Sequence, residues 1–176
     1  ASTGGGCAIG AQFDGGEVDV KGLEFTVGYD AAELLDTAWS IPVAAIYTYT
    51  DAEFKTSFNS GFGPWGNVTV CDELPYVPDH QLTLTAGVEG ETWRANVIAN
   101  YVGETRSVAG QGAIPDNQLI NERIVLDLSA EVDIVPGVSL IGIVENVTDE
   151  VYNVSFDPAG APPGKPRTGP GPAPIT

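Results

Sequence analysis

The segment VPDHQLTLTAGVEGETWRANVIANYVGE, from Val77 to Glu104, alternates apolar and polar residues in two arms. Side chains of a β-strand point to opposite faces with a period of two, so each arm predicts an amphipathic strand. The apolar positions are Leu82, Leu84, Ala86 and Val88 in the first arm, and Trp93, Ala95, Val97, Ala99 and Tyr101 in the second. The short link EGET joins the two arms and predicts a β-hairpin.

The length of these arms bears on the kind of sheet they form. Strands of soluble proteins usually run about 5 to 6 residues. A strand that crosses a bilayer needs about 9 to 11 residues, apolar toward lipid and polar toward the lumen. Each arm has about ten alternating positions, which favours a membrane-spanning hairpin. A hairpin of a soluble β-sandwich with one buried face is the alternative.

At least six segments of the chain carry this pattern, at 17–30, 37–58, the two arms, 119–135 and 138–156. The short links AAELLD, EGET and PG alternate with the long, Gly- and Pro-rich links NSGFGPWGN and TRSVAGQGAIPDNQ. Such alternation is expected when short and long loops lie on opposite sides of a membrane. Trp39 and Trp93 lie next to short links, and several tyrosines lie toward the long ones, as is typical of two interfacial girdles.

The fold class predicted is therefore all-β, an antiparallel up-and-down meander of long strands that forms part of a transmembrane β-barrel. The barrel is incomplete in this chain, because closure needs about eight strands or more. We divide the chain into a Gly-rich external loop or N-terminal arm (1–16), the barrel strands (17–158) and a Pro- and Gly-rich loop and tail (159–176).

Composition excludes several classes of protein. The formal net charge of −17 disfavours nucleic acid as a partner, since two polyanions repel each other. The chain has one histidine, His80, and its two cysteines lack the spacing of a metal site, so neither metal nor triad chemistry is expected. Neighbouring acids such as Asp72 and Glu73 are typical of a solvated loop. We expect no enzyme activity and no cofactor.

Four stretches carry a resemblance to a known family: LPYVPDHQLTL (74–84), YVGETRSVAGQGAIPDNQ (101–118), VENVTDEVYNVS (144–155) and PAGAPPGKPRT (158–168). Together with VKGLEFTVGYD (20–30), they resemble the C-terminal third of a TonB-dependent outer-membrane receptor of the ferric-dicitrate type. That family forms a barrel of about 22 strands, plugged by an N-terminal domain. The resemblance implies import of ferric siderophore-like complexes, energised by TonB, across the bacterial outer membrane.

The resemblance also implies partners: the lipid bilayer, the remainder of the barrel and its plug, TonB in the full receptor, and a ferric complex. The sequence departs from the family in lacking a plug or TonB box, and in ending GPGPAPIT after KPRT. These departures leave open an alternative, a secreted, extracellular β-rich structural subunit that assembles by strand pairing between copies. Purification without detergent would favour this alternative.

Two sets of residues follow from the barrel interpretation. In the receptors that this chain resembles, basic and polar groups of long external loops and the plug hold the anionic iron complex, so the resemblance implies Arg106, the arginine of the long link, as the candidate ligand-binding residue. A surface ion pair with Glu104 or another acid is equally compatible with its position. The predicted lipid-facing set comprises Leu23, Phe25, Val27, Ile41, Val43, Leu82, Leu84, Val97, Leu126 and Leu128.

Cys7 and Cys71 both fall on the long-loop side of the predicted strands, and we expect them to form a disulfide. In the chain-entropy model a cross-link over a loop of this length restricts the unfolded chain by about 3 to 4 kcal/mol. Thiol labelling of the denatured, unreduced protein checks this pairing. Two reactive thiols per chain would contradict it.

Overall fold

The computed structural model describes residues 16–61, 63–156 and 166–168. Among these residues, no helix has the length and apolarity needed to cross a membrane. The single described helix, α1 (Ala32–Leu35), lies in the link after the first strand. The described strands are β1 (Val18–Asp30), β2 (Pro42–Phe54), β3 (Phe58–Asn59), β4 (Asn67–Val68), β5 (His80–Glu89), β6 (Trp93–Val102), β7 (Thr105–Arg106), β8 (Leu119–Ile120), β9 (Arg123–Val135), β10 (Val138–Val144), β11 (Asn153–Phe156) and β12 (Pro166–Thr168).

Six of these strands form one antiparallel sheet in the order β1-β2-β5-β6-β9-β10, which confirms the predicted meander. Each strand pairs with the next long strand of the chain, and the sheet is not closed. The outer strands β1 and β10 each keep one edge unpaired among the described residues. The tightest connection, between β9 and β10, contains Gly137 at φ +84, a backbone conformation that glycine adopts without steric cost.

The cross-strand register places the predicted lipid-facing residues on one face of the sheet. Phe25 lies opposite Tyr47, which lies opposite Leu82, and Leu82 lies opposite Tyr101. Directly opposite residues of antiparallel strands share a face. The same reasoning joins Val97 to Leu128 on the next pair. We call this surface the apolar face. Ile41 precedes β2 and borders the same groove as Val97 and Leu128.

The opposite surface, the polar face, carries hydrogen-bonded pairs. The Thr83 hydroxyl donates to Asn100 Oδ1 at 3.0 Å, and Arg94 Nε donates to Glu131 Oε2 at 2.9 Å across β6 and β9. Ile98 is an apolar exception on this face and lies opposite Asp127. One sheet therefore presents two surfaces of opposite character, as expected for a strand layer between lipid and an aqueous lumen.

The sheet has no second layer of protein packed on it among the described residues. Leu23 and Phe25 are 63% and 57% exposed, although both are large apolar side chains on the apolar face. An apolar surface of this extent normally contacts another protein or a membrane. The fully buried residues lie instead at the end of the sheet that carries the long loops.

Two predicted segments break where the chain turns out of the sheet. The sixth segment ends as β10 at Val144, because Asn146 and Asp149 adopt positive φ and form a turn. Side-chain bonds fix that turn: Asp127 Oδ1 accepts from the Asn146 N–H at 2.8 Å. The fifth segment likewise divides into the short strand β8 and the long strand β9. Alternation alone does not distinguish these pieces.

The assignment of the two faces is tested by a matched pair of substitutions. Val97→Arg, on the apolar face, should destabilise the barrel by about 2 to 4 kcal/mol if that face meets the bilayer midplane. Asn96→Arg, on the polar face of the same strand, should cost much less. Urea unfolding of the protein folded into phospholipid vesicles measures both values. Equal costs would refute the assignment.

Candidate ligand site in the long loops

The two long loops, residues 55–79 and 103–122, pack together into one unit that we call the loop cap. Each loop contains its own short strand pair, β3 with β4 and β7 with β8. Backbone bonds then join one loop to the other: the Glu73 N–H donates to Gly110 O at 2.9 Å, and the Tyr76 N–H donates to Arg106 O at 2.8 Å. The cap is therefore an extension of the sheet by backbone pairing.

The apolar core of the described residues lies in and directly beneath the loop cap. Val68 and Ile120 are each 1% exposed, and Phe54 at the end of β2 is 3% exposed. The ring of Phe54 meets those of Phe58 and Trp65 edge to face, with centroids 5.4 and 6.3 Å away. Phe54 shares the parity of Thr48 and Ile46, so the cap folds over the polar side of the sheet.

Asp72 is 5% exposed, so the expectation of a solvated loop was wrong for this residue. Its carboxylate accepts bonds from the Thr69 N–H and the Thr69 hydroxyl, both at 2.8 Å, and from Gln111 Nε2 of the second loop at 3.0 Å. Burial alone would raise the pKa of Asp72, but these hydrogen bonds and the charge of Arg106 outweigh it and lower that pKa. The ionised carboxylate therefore ties the two loops together.

Arg106 is 3% exposed and forms the second tie. Its Nε donates to Glu73 Oε2 at 2.7 Å, and its Nη2 donates to Gly112 O at 3.0 Å. The predicted alternative, pairing with an acid, is thus realised with Glu73. The guanidinium also borders a cleft of about 230 Å³ lined by Glu73, Val77, Asp79, Glu104, Thr105, Arg106, Gly112, Ala113 and Ile114.

The remaining predicted site residues are placed as follows. Cys71 is exposed in the first loop at φ +70, beside the Asp72 network. Cys7 lies outside the described residues, so the disulfide stays a prediction. Sequence reasoning missed the roles of Glu73 and Gln111, which come from contacts between the two loops, and that of Thr105, a buried residue of the cleft wall. No local sequence pattern marks these residues.

Comparison with known proteins identifies the class of protein. A model of the family described as TonB dependent receptor-like, beta-barrel, matches residues 1–147. The chain therefore belongs to the TonB-dependent receptor β-barrel family, as the resemblance indicated.

A solved structure shares the fold. It is the ferric citrate transporter FecA in its unliganded form, at 23% sequence identity and a TM-score of 0.61. The match covers 86% of this chain and 23% of FecA, so the chain spans about a quarter of that protein's length. No curated protein sequence matches the chain.

The lowered pKa of Asp72 predicts how the loop cap responds to acid. A carboxyl group with a lower pKa in the folded state stabilises that state above its unfolded pKa of about 3.9. This stabilisation is lost as the pH falls through the folded value. We expect the backbone amides of Thr69 and Val70 to exchange hydrogen faster in acid, after correction for intrinsic rates.

Asp72→Asn is the control for this measurement. The amide side chain has no charge to lose, so exchange at Thr69 and Val70 should be fast and should depend little on pH in the variant. If the variant keeps the acid dependence of the original protein, another group causes it.

Proposed function

We propose that the chain is part of an outer-membrane receptor that imports ferric siderophore-like complexes into a bacterium with energy from TonB. The observation that carries this proposal is the single sheet with one apolar and one polar face, in a chain of the TonB-dependent receptor barrel family. The fold shared with a ferric citrate transporter supports iron as the cargo. The partners would be lipid, the other barrel strands, the plug, TonB and the ferric complex.

The loop cap supplies the side of the receptor where a ligand first binds. It folds over the polar side of the sheet, which in a barrel encloses the lumen. Its cleft opens between the two loops and is bordered by Arg106. A ligand held there would stand above the lumen entrance, in the position from which transport begins.

Transport by the receptor that contains this chain is tested in a bacterium that lacks its own ferric-citrate uptake. Cells carrying the receptor gene should accumulate labelled iron from ferric dicitrate or from a ferric siderophore, and deletion of TonB should abolish the uptake. Uptake that persists without TonB would contradict the proposal that TonB supplies the energy for import. If the cells take up none of the ferric complexes, the proposal that the receptor transports iron is wrong.

The alternative, a secreted subunit that assembles by strand pairing, has one observation in its favour. The edges of β1 and β10 are unpaired among the described residues, and an open edge accepts a strand from another chain. Electron microscopy of the native protein separates the two proposals. Filaments purified without detergent would favour the subunit, whereas extraction that requires detergent would favour the receptor.

Arg106 should affect ligand binding in the full receptor. Its guanidinium borders the cleft, joins the two loops through Glu73 and donates to Gly112 O within its own loop. Arg106→Ala should weaken binding of a ferric complex by about 1 kcal/mol or more, since a hydrogen bond to a charged group contributes roughly 1.5 to 3 kcal/mol. Titration of tryptophan fluorescence measures the affinity.

Arg106→Lys separates charge from geometry in the same titration. Lysine keeps the positive charge but cannot form the forked contact with two acceptors. If the lysine variant binds like the alanine variant, the positioning of the loops matters; if it binds like the original receptor, charge matters. Unchanged affinity in both variants would remove Arg106 from the site.

A further inference from the structure

The cleft of the loop cap has an excess of negative charge on its wall. Three of the lining residues, Glu73, Asp79 and Glu104, carry carboxylates, and one, Arg106, carries a positive charge. Arg106 Nε is already bound to Glu73 at 2.7 Å. No ion pair among the described residues includes Asp79 or Glu104. Asp79 and Glu104 therefore border the cleft as exposed carboxylates that belong to no ion pair of the described residues.

The environment of Asp79 is consistent with this excess. Loss of hydration and the nearby charge of Glu73 raise the pKa of Asp79, although its side chain is exposed. Nearby His80 and Arg106 act in the opposite direction and do not cancel this rise in pKa. A positive group placed beside Asp79 would offset both effects, because an opposite charge favours the ionised form of the carboxyl group.

Thr105 provides an independent observation in the same wall. The residue is 8% exposed, and its Oγ1 is the one buried side-chain oxygen or nitrogen without a hydrogen-bond partner among the described residues. A buried hydroxyl that lacks a partner costs stability, so such groups usually find a partner in a ligand or an ordered water molecule. Thr105 lines the cleft, where a ligand could supply this partner.

We propose that the cleft binds a protonated amine carried by the transported ligand. The ammonium group would lie between the carboxylates of Asp79 and Glu104 and donate a hydrogen bond to Thr105 Oγ1. This inference rests on the proposed function and deepens it by naming the ligand class: ferric chelates that bear a free primary amine, in preference to fully anionic chelates.

Three arguments favour an ammonium group over other occupants. An anion would meet two unpaired carboxylates in a chain of net charge −17. A metal ion has no group of three or more His, Cys, Asp or Glu side chains to hold it in the described part of the chain. The volume of about 230 Å³ is smaller than that of pockets for whole drug-sized ligands, so it suits one arm of a larger molecule.

The test compares two probes of nearly equal shape. One is a ferric trihydroxamate with a free terminal amine, and the other is the same chelate with that amine acetylated. Titration of the purified full receptor should give at least about tenfold tighter binding of the amine form, because charge-assisted hydrogen bonds are the stronger kind. Equal affinities, or tighter binding of the acetylated form, would overturn the proposal.

Variants locate the effect in the cleft. Glu104→Gln, Asp79→Asn and Thr105→Val should each reduce the ratio between the two affinities, because each should weaken binding of the amine form more than binding of the acetylated form. Glu33→Gln removes one carboxylate from α1, at the other end of the sheet, and should leave the ratio unchanged. If none of the three cleft variants alters the ratio of the two affinities, the amine binds elsewhere and the proposed site is wrong.

Failure of the amine proposal can be distinguished from failure of the proposed transport function. If labelled iron enters from ferric dicitrate in a TonB-dependent manner but the receptor does not prefer the amine probe, only the ligand class is wrong. If the receptor neither binds nor imports any ferric complex, both proposals are wrong. The comparison of the two probes uses the unaltered receptor, so it does not depend on whether a variant folds.

Discussion

The register between consecutive antiparallel strands is the constraint on which the rest of this structure depends. In β1 and β2 it runs from Val18 opposite Phe54 to Asp30 opposite Pro42 without interruption. A shift of one residue would move every apolar side chain of a strand to the opposite face. Since the sheet has no second layer among the described residues, such a shift would put charged groups on the apolar face.

The sheet and the loop cap are stabilised by different kinds of interaction. The sheet relies on backbone bonds and on an environment that suits its exposed apolar face, such as lipid. The loop cap has a conventional interior in which Val68, Ile120 and Arg106 are buried above Phe54. Glu73, the ion-pair partner of Arg106, is half exposed at the edge of this interior. The long loops therefore hold their shape by contacts of their own, which allows them to present a fixed cleft.

The sequence predicted the sheet well and the loop cap poorly, for a physical reason. Alternation is a local signal, so the strands around Phe25, Leu82 and Val97 and their common face could be read directly from the chain. The partner of Arg106 could not, because Glu73 is 33 residues away and is brought close by backbone pairing between loops. The turn at Asn146 was missed because its side-chain bonds interrupt a run that still looks like a strand.

The pairing of the two loops also constrains how the family can diversify. Loops of a barrel are ordinarily free to lengthen or shorten one at a time. Here the Glu73 N–H is bonded to Gly110 O, and the Tyr76 N–H to Arg106 O, so a deletion in one loop leaves donors or acceptors of the other unpaired. Insertions should therefore accumulate in pairs during evolution, and a chimaeric receptor that exchanges recognition specificity must receive both loops from the same parent.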